Sequence, residues 1–186
     1  RSRAMVEVGA WRDIEREPPV AVVLVQAVST GEKMDFTIQK AVELGAAAIQ
    51  PVLAARSVVR LGAARAEAKL EHWRGIAVAA CEQCGRNRVP RILRPLPLAA
   101  YCADPSEVVL RLLLSPVARR SLRDAARDVS GPVAIAAGPE AGFGVEEEAM
   151  LAAAGFEPVR LGPRVLRTET AALAALAALN LLAGEG

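Results

Sequence analysis

The chain has 186 residues, 53% of them hydrophobic, with a formal net charge of +2. That is enough for one domain with a substantial core, and too little net charge for bulk electrostatics to argue for nucleic acid. No secretory signal is evident, and no apolar run reaches the ~18–20 residues of a membrane span; Ala171–Leu179 is interrupted by Asn180.

In chain order, residues 1–17 hold Met5, Val6, Val8 and Trp11 as a possible strand. Val20–Val28 reads as a buried strand, almost continuously Val, Ala and Leu. Glu32–Leu44 reads as a helix stopped by Gly45, with Met34, Ile38, Ala41 and Val42 on one face. Ala47–Leu53 is the next strand, and Ala64–Cys84 a long helix ended by Gly85, with Leu70, Trp73, Ala77 and Ala80 on its apolar side. Ile92–Leu96 and Val108–Leu114 follow as strands, Ser121–Asp128 as a helix, Val133–Ala137 as a strand, and Val145–Ala154 as a helix stopped by Gly155. Glu157–Leu161 is a last strand, and the final helix runs from about Thr168 to Leu182. Alternating β and α segments imply an α/β fold with a parallel sheet covered on both faces. Ligands on such sheets bind beyond the carboxyl ends of the strands.

Two segments occupy that position. Gly138-Pro139-Glu140-Ala141-Gly142-Phe143-Gly144 leaves one expected strand, and Leu161-Gly162-Pro163-Arg164-Val165-Leu166-Arg167-Thr168-Glu169-Thr170-Ala171 leaves another. Glycine lets a ligand approach the main chain, and proline shapes a loop without competing for hydrogen bonds. Two such loops make a pocket of backbone groups for a flat heterocycle. Neither has the Lys-Ser or Lys-Thr of a phosphate-cradling loop, which points to a nucleoside-like cofactor without a polyphosphate.

Twenty of the 23 basic residues are arginine, and they cluster. Arg86, Arg88, Arg91 and Arg94 form one group, Arg119, Arg120, Arg123 and Arg127 a second, and Arg160, Arg164 and Arg167 a third. The planar guanidinium suits phosphates and base edges. The first and third groups adjoin the motif segments and point to RNA; the second reads as a solvated helix face. Cys81 and Cys84 form a C-x-x-C, but only Cys102 and His72 remain as irregularly spaced partners, and the pair closes a helix rather than opening one. No metal is expected, and the three cysteines read as reduced thiols of a cytoplasmic protein.

The two loops resemble those of the SPOUT class, and specifically the RsmE family of 16S ribosomal RNA uridine-N3 methyltransferases. Glu32-Lys33-Met34-Asp35, Gln39-Lys40-Ala41-Val42-Glu43-Leu44-Gly45 and Glu82-Gln83-Cys84-Gly85-Arg86 match the same family in the same order, across about residues 20–184. The resemblance implies a deep C-terminal trefoil knot, S-adenosyl-L-methionine as cofactor, 16S ribosomal RNA or the small subunit as partner, and a homodimer built through the knot region. It also implies that residues 1–17 are the tail of an N-terminal PUA-like β-barrel and that 18–186 form the catalytic domain.

By the same resemblance, Gly138, Pro139, Gly142, Leu161, Gly162, Leu166 and Thr168 would hold the cofactor. Leu161 and Leu166 would sandwich the adenine, and Thr168, with Thr170 as a rival, would cap the last helix. The family's usual second glycine is Ala141 here. Arg86, Arg88 and Arg167 are candidates to stabilise charge on the uracil oxygens. Glu140 or Glu169 would accept the N3 proton or hold the cofactor's ammonium. A catalytically idle knotted RNA-binding or assembly module is the alternative, and a small-molecule nucleotide enzyme a third.

Overall fold

The computed structural model describes residues 4–57 and 63–184. Its elements are β1 (Val22–Ala27), α1 (Gly31–Glu43), β2 (Ala48–Leu53), α2 (Ala63–Cys84), β3 (Arg91–Ile92), β4 (Leu96–Pro97), α3 (Leu98–Ala103), β5 (Leu110–Leu114), α4 (Leu122–Ala125), β6 (Val133–Ala137), α5 (Val145–Ala153), β7 (Glu157–Val159) and α6 (Thr168–Leu182). The strands form one sheet in the order β3-β2-β1-β6-β5-β7, with β4 also on the β2 edge. Every pairing is parallel.

Strand periodicity sorts the core into two halves. Leu24 of β1 lies level with Ile49 of β2 and Ile135 of β6. These pack with Met34 and Ile38 of α1, Leu70 and Trp73 of α2, and Leu176 and Leu179 of α6. On the other face Val25, Val52, Ala134 and Ala136 meet Leu98 and Tyr101 of α3, Leu151 of α5, Phe143 and Phe156. The central strands are buried on both sides, which is why they read as unbroken apolar runs.

Some expectations change. The single strand expected at Ile92–Leu96 divides into β3 and β4 around Pro95, which has no N–H for a ladder. The buried Gln50 side chain bridges the gap, its Nε2 donating to the Arg94 carbonyl at 3.0 Å. The helix expected at Ser121–Asp128 contracts to Leu122–Ala125, with Ser121 Oγ accepting from the Asp124 N–H at 3.1 Å. Helix α3 was not expected at all. Met5, Val6, Val8 and Trp11 form no strand, and each is more than four-fifths exposed.

Candidate cofactor and active site

Strand β6 ends at Ala137 and feeds the 138–144 loop, while β7 ends at Val159 and feeds the 160–167 loop. Strand β5 lies between them, so its exit, Leu114-Ser115-Pro116, fills the floor. The three strand ends and two loops enclose a cleft of about 510 Å³, within the usual range for a small-molecule site.

The loop 138–144 is folded tightly upon itself. A Cβ on Gly138 would stand 3.1 Å from the Phe143 backbone nitrogen and 3.2 Å from its ring. Gly142 has φ +69°, a conformation that L side chains rarely adopt, and its N–H closes a turn on the Pro139 carbonyl at 2.8 Å. Ala141 does not have positive φ, so the alanine there is accommodated. Gly162 is bare in the opposite sense, with no atom within 4 Å of a built Cβ.

Of the residues expected in a site, Gly138, Pro139, Glu140, Gly142, Leu161, Gly162, Leu166, Arg167, Thr168 and Glu169 all line the cleft. Thr168 does so differently than expected. Arg167 occupies the cap position of α6, without a capping side chain. The Thr168 hydroxyl instead donates to the Gly138 carbonyl and accepts from Gln26 Nε2 at 3.3 Å. One side chain thus joins the two loops to the end of β1.

Arg86 and Arg88 do not line the cleft. Arg86 is buried, its Nη1 donating to the carbonyls of Val42 (2.8 Å) and Ala46 (3.1 Å) and its remaining nitrogens to Glu17. Those carbonyls precede β2, so Arg86 sits at the amino ends of the strands, roughly 17 Å from the carboxyl ends at ~3.3 Å per residue. Arg88 pairs with Glu15 at 2.6 Å on the surface nearby.

The two cleft carboxylates differ. Glu140 accepts from Lys33 Nζ at 3.1 Å. Partial burial alone would raise its carboxyl, but its own backbone N–H and the hydrogen bond and charge of Lys33 hold it below its ordinary value. Glu169 is half-buried in the first turn of α6, and its Oε2 is enclosed with no hydrogen-bond partner among the described residues. Such an oxygen fits a donor brought by a pocket occupant. Lys33, Ser115 and Pro116 were missed as site residues. Their signal was positional, since Ser115-Pro116 ends an expected strand on the ligand side.

Cys81 and Cys102 have thiols pushed up by burial, and no three His, Cys, Asp or Glu gather as a metal site among the described residues. No described helix is long and apolar enough to cross a membrane.

The family described as an RNA methyltransferase domain matches residues 16–180, which include this sheet and both loops. Ribosomal RNA small subunit methyltransferase E of Buchnera aphidicola subsp. Acyrthosiphon pisum is 32% identical over 186 residues, covering 99% of this chain and 73% of that protein. The enzyme of the same name from Neisseria gonorrhoeae, solved bound to S-adenosyl methionine, is 40% identical with a TM-score of 0.84, covering 92% of this chain and 70% of that one. A Legionella pneumophila protein solved with bound cofactor SAM is 39% identical with a TM-score of 0.85, over 91% of this chain and 69% of that one. The chain belongs to the RsmE family of RNA methyltransferases.

Proposed function

We propose that this chain is an S-adenosylmethionine-dependent methyltransferase of small-subunit ribosomal RNA, acting on N3 of a uridine in 16S RNA. The observation that carries the reading is the cleft at the ends of β6, β5 and β7, built from the two loops that singled themselves out in the sequence. Residues 18–186 form the catalytic domain in this reading. The return of α6 from the β7 edge to pack against β1 and β6 supports a C-terminal knot, and the partners are the RNA or small subunit and a second copy joined through the knot region, in the cytoplasm.

The residues present fit the cofactor. Leu161 and Leu166 offer apolar walls, the 138–144 and 160–167 loops offer backbone groups, and the lysine in the lining, Lys33, is paired with Glu140. When bound, S-adenosylmethionine supplies an electrophilic methyl carbon and a neutral thioether leaving group. What remains for the chain is to hold the base, remove the N3 proton and stabilise the charge left on the uracil oxygens.

We assign that charge to Arg167, a reading supported by its exposure at the head of α6 and its place in the cleft lining. We assign the proton to Glu169, whose Oε2 has no hydrogen-bond partner among the described residues, whereas Glu140 is paired with Lys33. Glu140 then serves to orient the loop and to meet the positive end of the cofactor.

Calorimetric titration with S-adenosylmethionine, beside ATP and NAD, tests the reading. Saturable binding of the first alone, with methyl transfer from labelled donor to purified small subunits or their RNA, is expected. Nucleotide binding in its place would overturn the cofactor assignment.

A further inference from the structure

Glu147 is a carboxylate of the first turn of α5, only 6% exposed, that does not line the cleft. A buried charge persists only where donors replace its water. Glu147 has two, from separate loops. Its Oε2 accepts from the Gly144 N–H at 2.8 Å, and its Oε1 from the Ala55 N–H at 2.6 Å. The first bond is ordinary helix capping, a Glu at the third position reaching back to the cap. The second is not required by the helix and reaches across the molecule.

Ala55 belongs to the turn at 54–57 that leaves β2, and β1 separates β2 from β6 in the sheet. This turn is itself locked. The Ser57 N–H donates to the Ala54 carbonyl at 3.0 Å, and Ser57 Oγ accepts from the Ala54 N–H at 3.3 Å. Ala54 shares an apolar cluster with Phe143, the residue against which Gly138 is packed. A second tie runs from the same turn, since Arg56 Nη1 donates to the Ala141 carbonyl at 3.2 Å. The 138–144 loop therefore presents one side to the cleft and is held on its other side by a rigid turn two strands away.

We propose that Glu147 is a positioning residue for the methyl-donor site: it clamps the 54–57 turn to the 138–144 loop and, with the Arg56 tie, sets the shape of that cleft wall. This rests on the reading of the cleft as the donor site. The clamp acts on donor affinity more than on the chemical step, because it bonds directly to the 138–144 wall and reaches Arg167 and Glu169 only through the Thr168–Gly138 bond.

The test is donor binding by Glu147→Gln in the intact chain, measured calorimetrically. The amide can offer its oxygen to one N–H only and sets its NH₂ against the other. The expected result is a Kd for S-adenosylmethionine raised about tenfold, a kcat at saturating donor within about twofold of wild type, and faster hydrogen exchange at Ala55 or Gly144. Asn180→Ala is the control for mere loss of stability. It removes a bond to the Leu44 carbonyl (2.8 Å) at the far end of the sheet and leaves the donor Kd unchanged. A folded Glu147→Gln protein with wild-type donor Kd overturns the proposal alone. A wild-type chain that does not bind the donor overturns the functional reading and this proposal with it. Should Glu147→Gln fail to fold, exposed Arg56→Ala decides the matter: an approximately threefold rise in Kd supports the clamp, and no change overturns it.

Discussion

At the amino ends of the strands, Arg86 spends its guanidinium on two carbonyls and Glu17. At the carboxyl ends, Arg167 stands exposed beside a carboxylate whose Oε2 has no partner among the described residues. Both arginines lie in segments that match one family, and both were candidates from the sequence. What separates them is unused bonding capacity. A buried, fully bonded charge holds a fold together, whereas chemistry needs groups with valences still free for a ligand. Sequence similarity marks both kinds equally.

The sharpest way to break this contrast is Gly138→Val. Its Cβ would crowd the Phe143 backbone nitrogen at 3.1 Å and ring at 3.2 Å, and its methyls add to that, so the 138–144 loop must shift. Donor affinity should fall at least 100-fold, about 2.7 kcal/mol, in a chain that circular dichroism shows still folded; near-normal binding would mean that this loop is not a cofactor wall.

Arg86→Ala probes the opposite end. Leaving Glu17 unpaired and two carbonyls unsatisfied should cost about 3 kcal/mol, or roughly 6–12 °C in Tm for a domain of this size. The folded protein should still bind donor with wild-type affinity. A specific loss of methyl transfer without loss of stability would restore Arg86 to the reaction.

Arg167→Ala should lower kcat by about 30–100-fold, with donor Kd little changed, as expected when a transition-state charge partner is removed. Calorimetry beside single-turnover methylation separates the two effects, and a raised Kd with unchanged kcat would make Arg167 a cofactor ligand instead.

Lys33→Met should have the smallest effect. Because the folded Glu140 carboxyl lies below its ordinary value of 4.5, it stabilises the protein above that pH and loses the contribution as pH falls through its folded value. The Lys33 part of this comes from a half-exposed pair worth about 0.5 kcal/mol at most. Urea unfolding at pH 7 and through progressively more acid pH should show a small gap that closes in acid; a gap unchanged by pH would deny the ion pair a role.

Much of this was legible in the residues. Apolar runs located the central strands, glycines stopped α1, α2 and α5, and the two loops fell where parallel sheets bind ligands. Short, marginal segments were not legible. The stretch Leu98–Ala103 carries too few residues to display a helical period, and Pro95 divides a strand whose gap only the Gln50 side chain explains. Thr168 resembled a cap because capping is a local pattern, yet its hydroxyl bonds to Gly138, thirty residues earlier.

The sequence by itself determined the alternation of strands and helices, the loops that would face a ligand, and the family. These depend on periodicity and backbone constraint within a few neighbouring residues. Tertiary structure alone decided which arginines line the cleft, which carboxylate has an oxygen without a partner among the described residues, and that Glu147 joins two loops. Those properties depend on where a side chain's hydrogen bonds go, and their partners lie 30 to about 140 positions away in the chain.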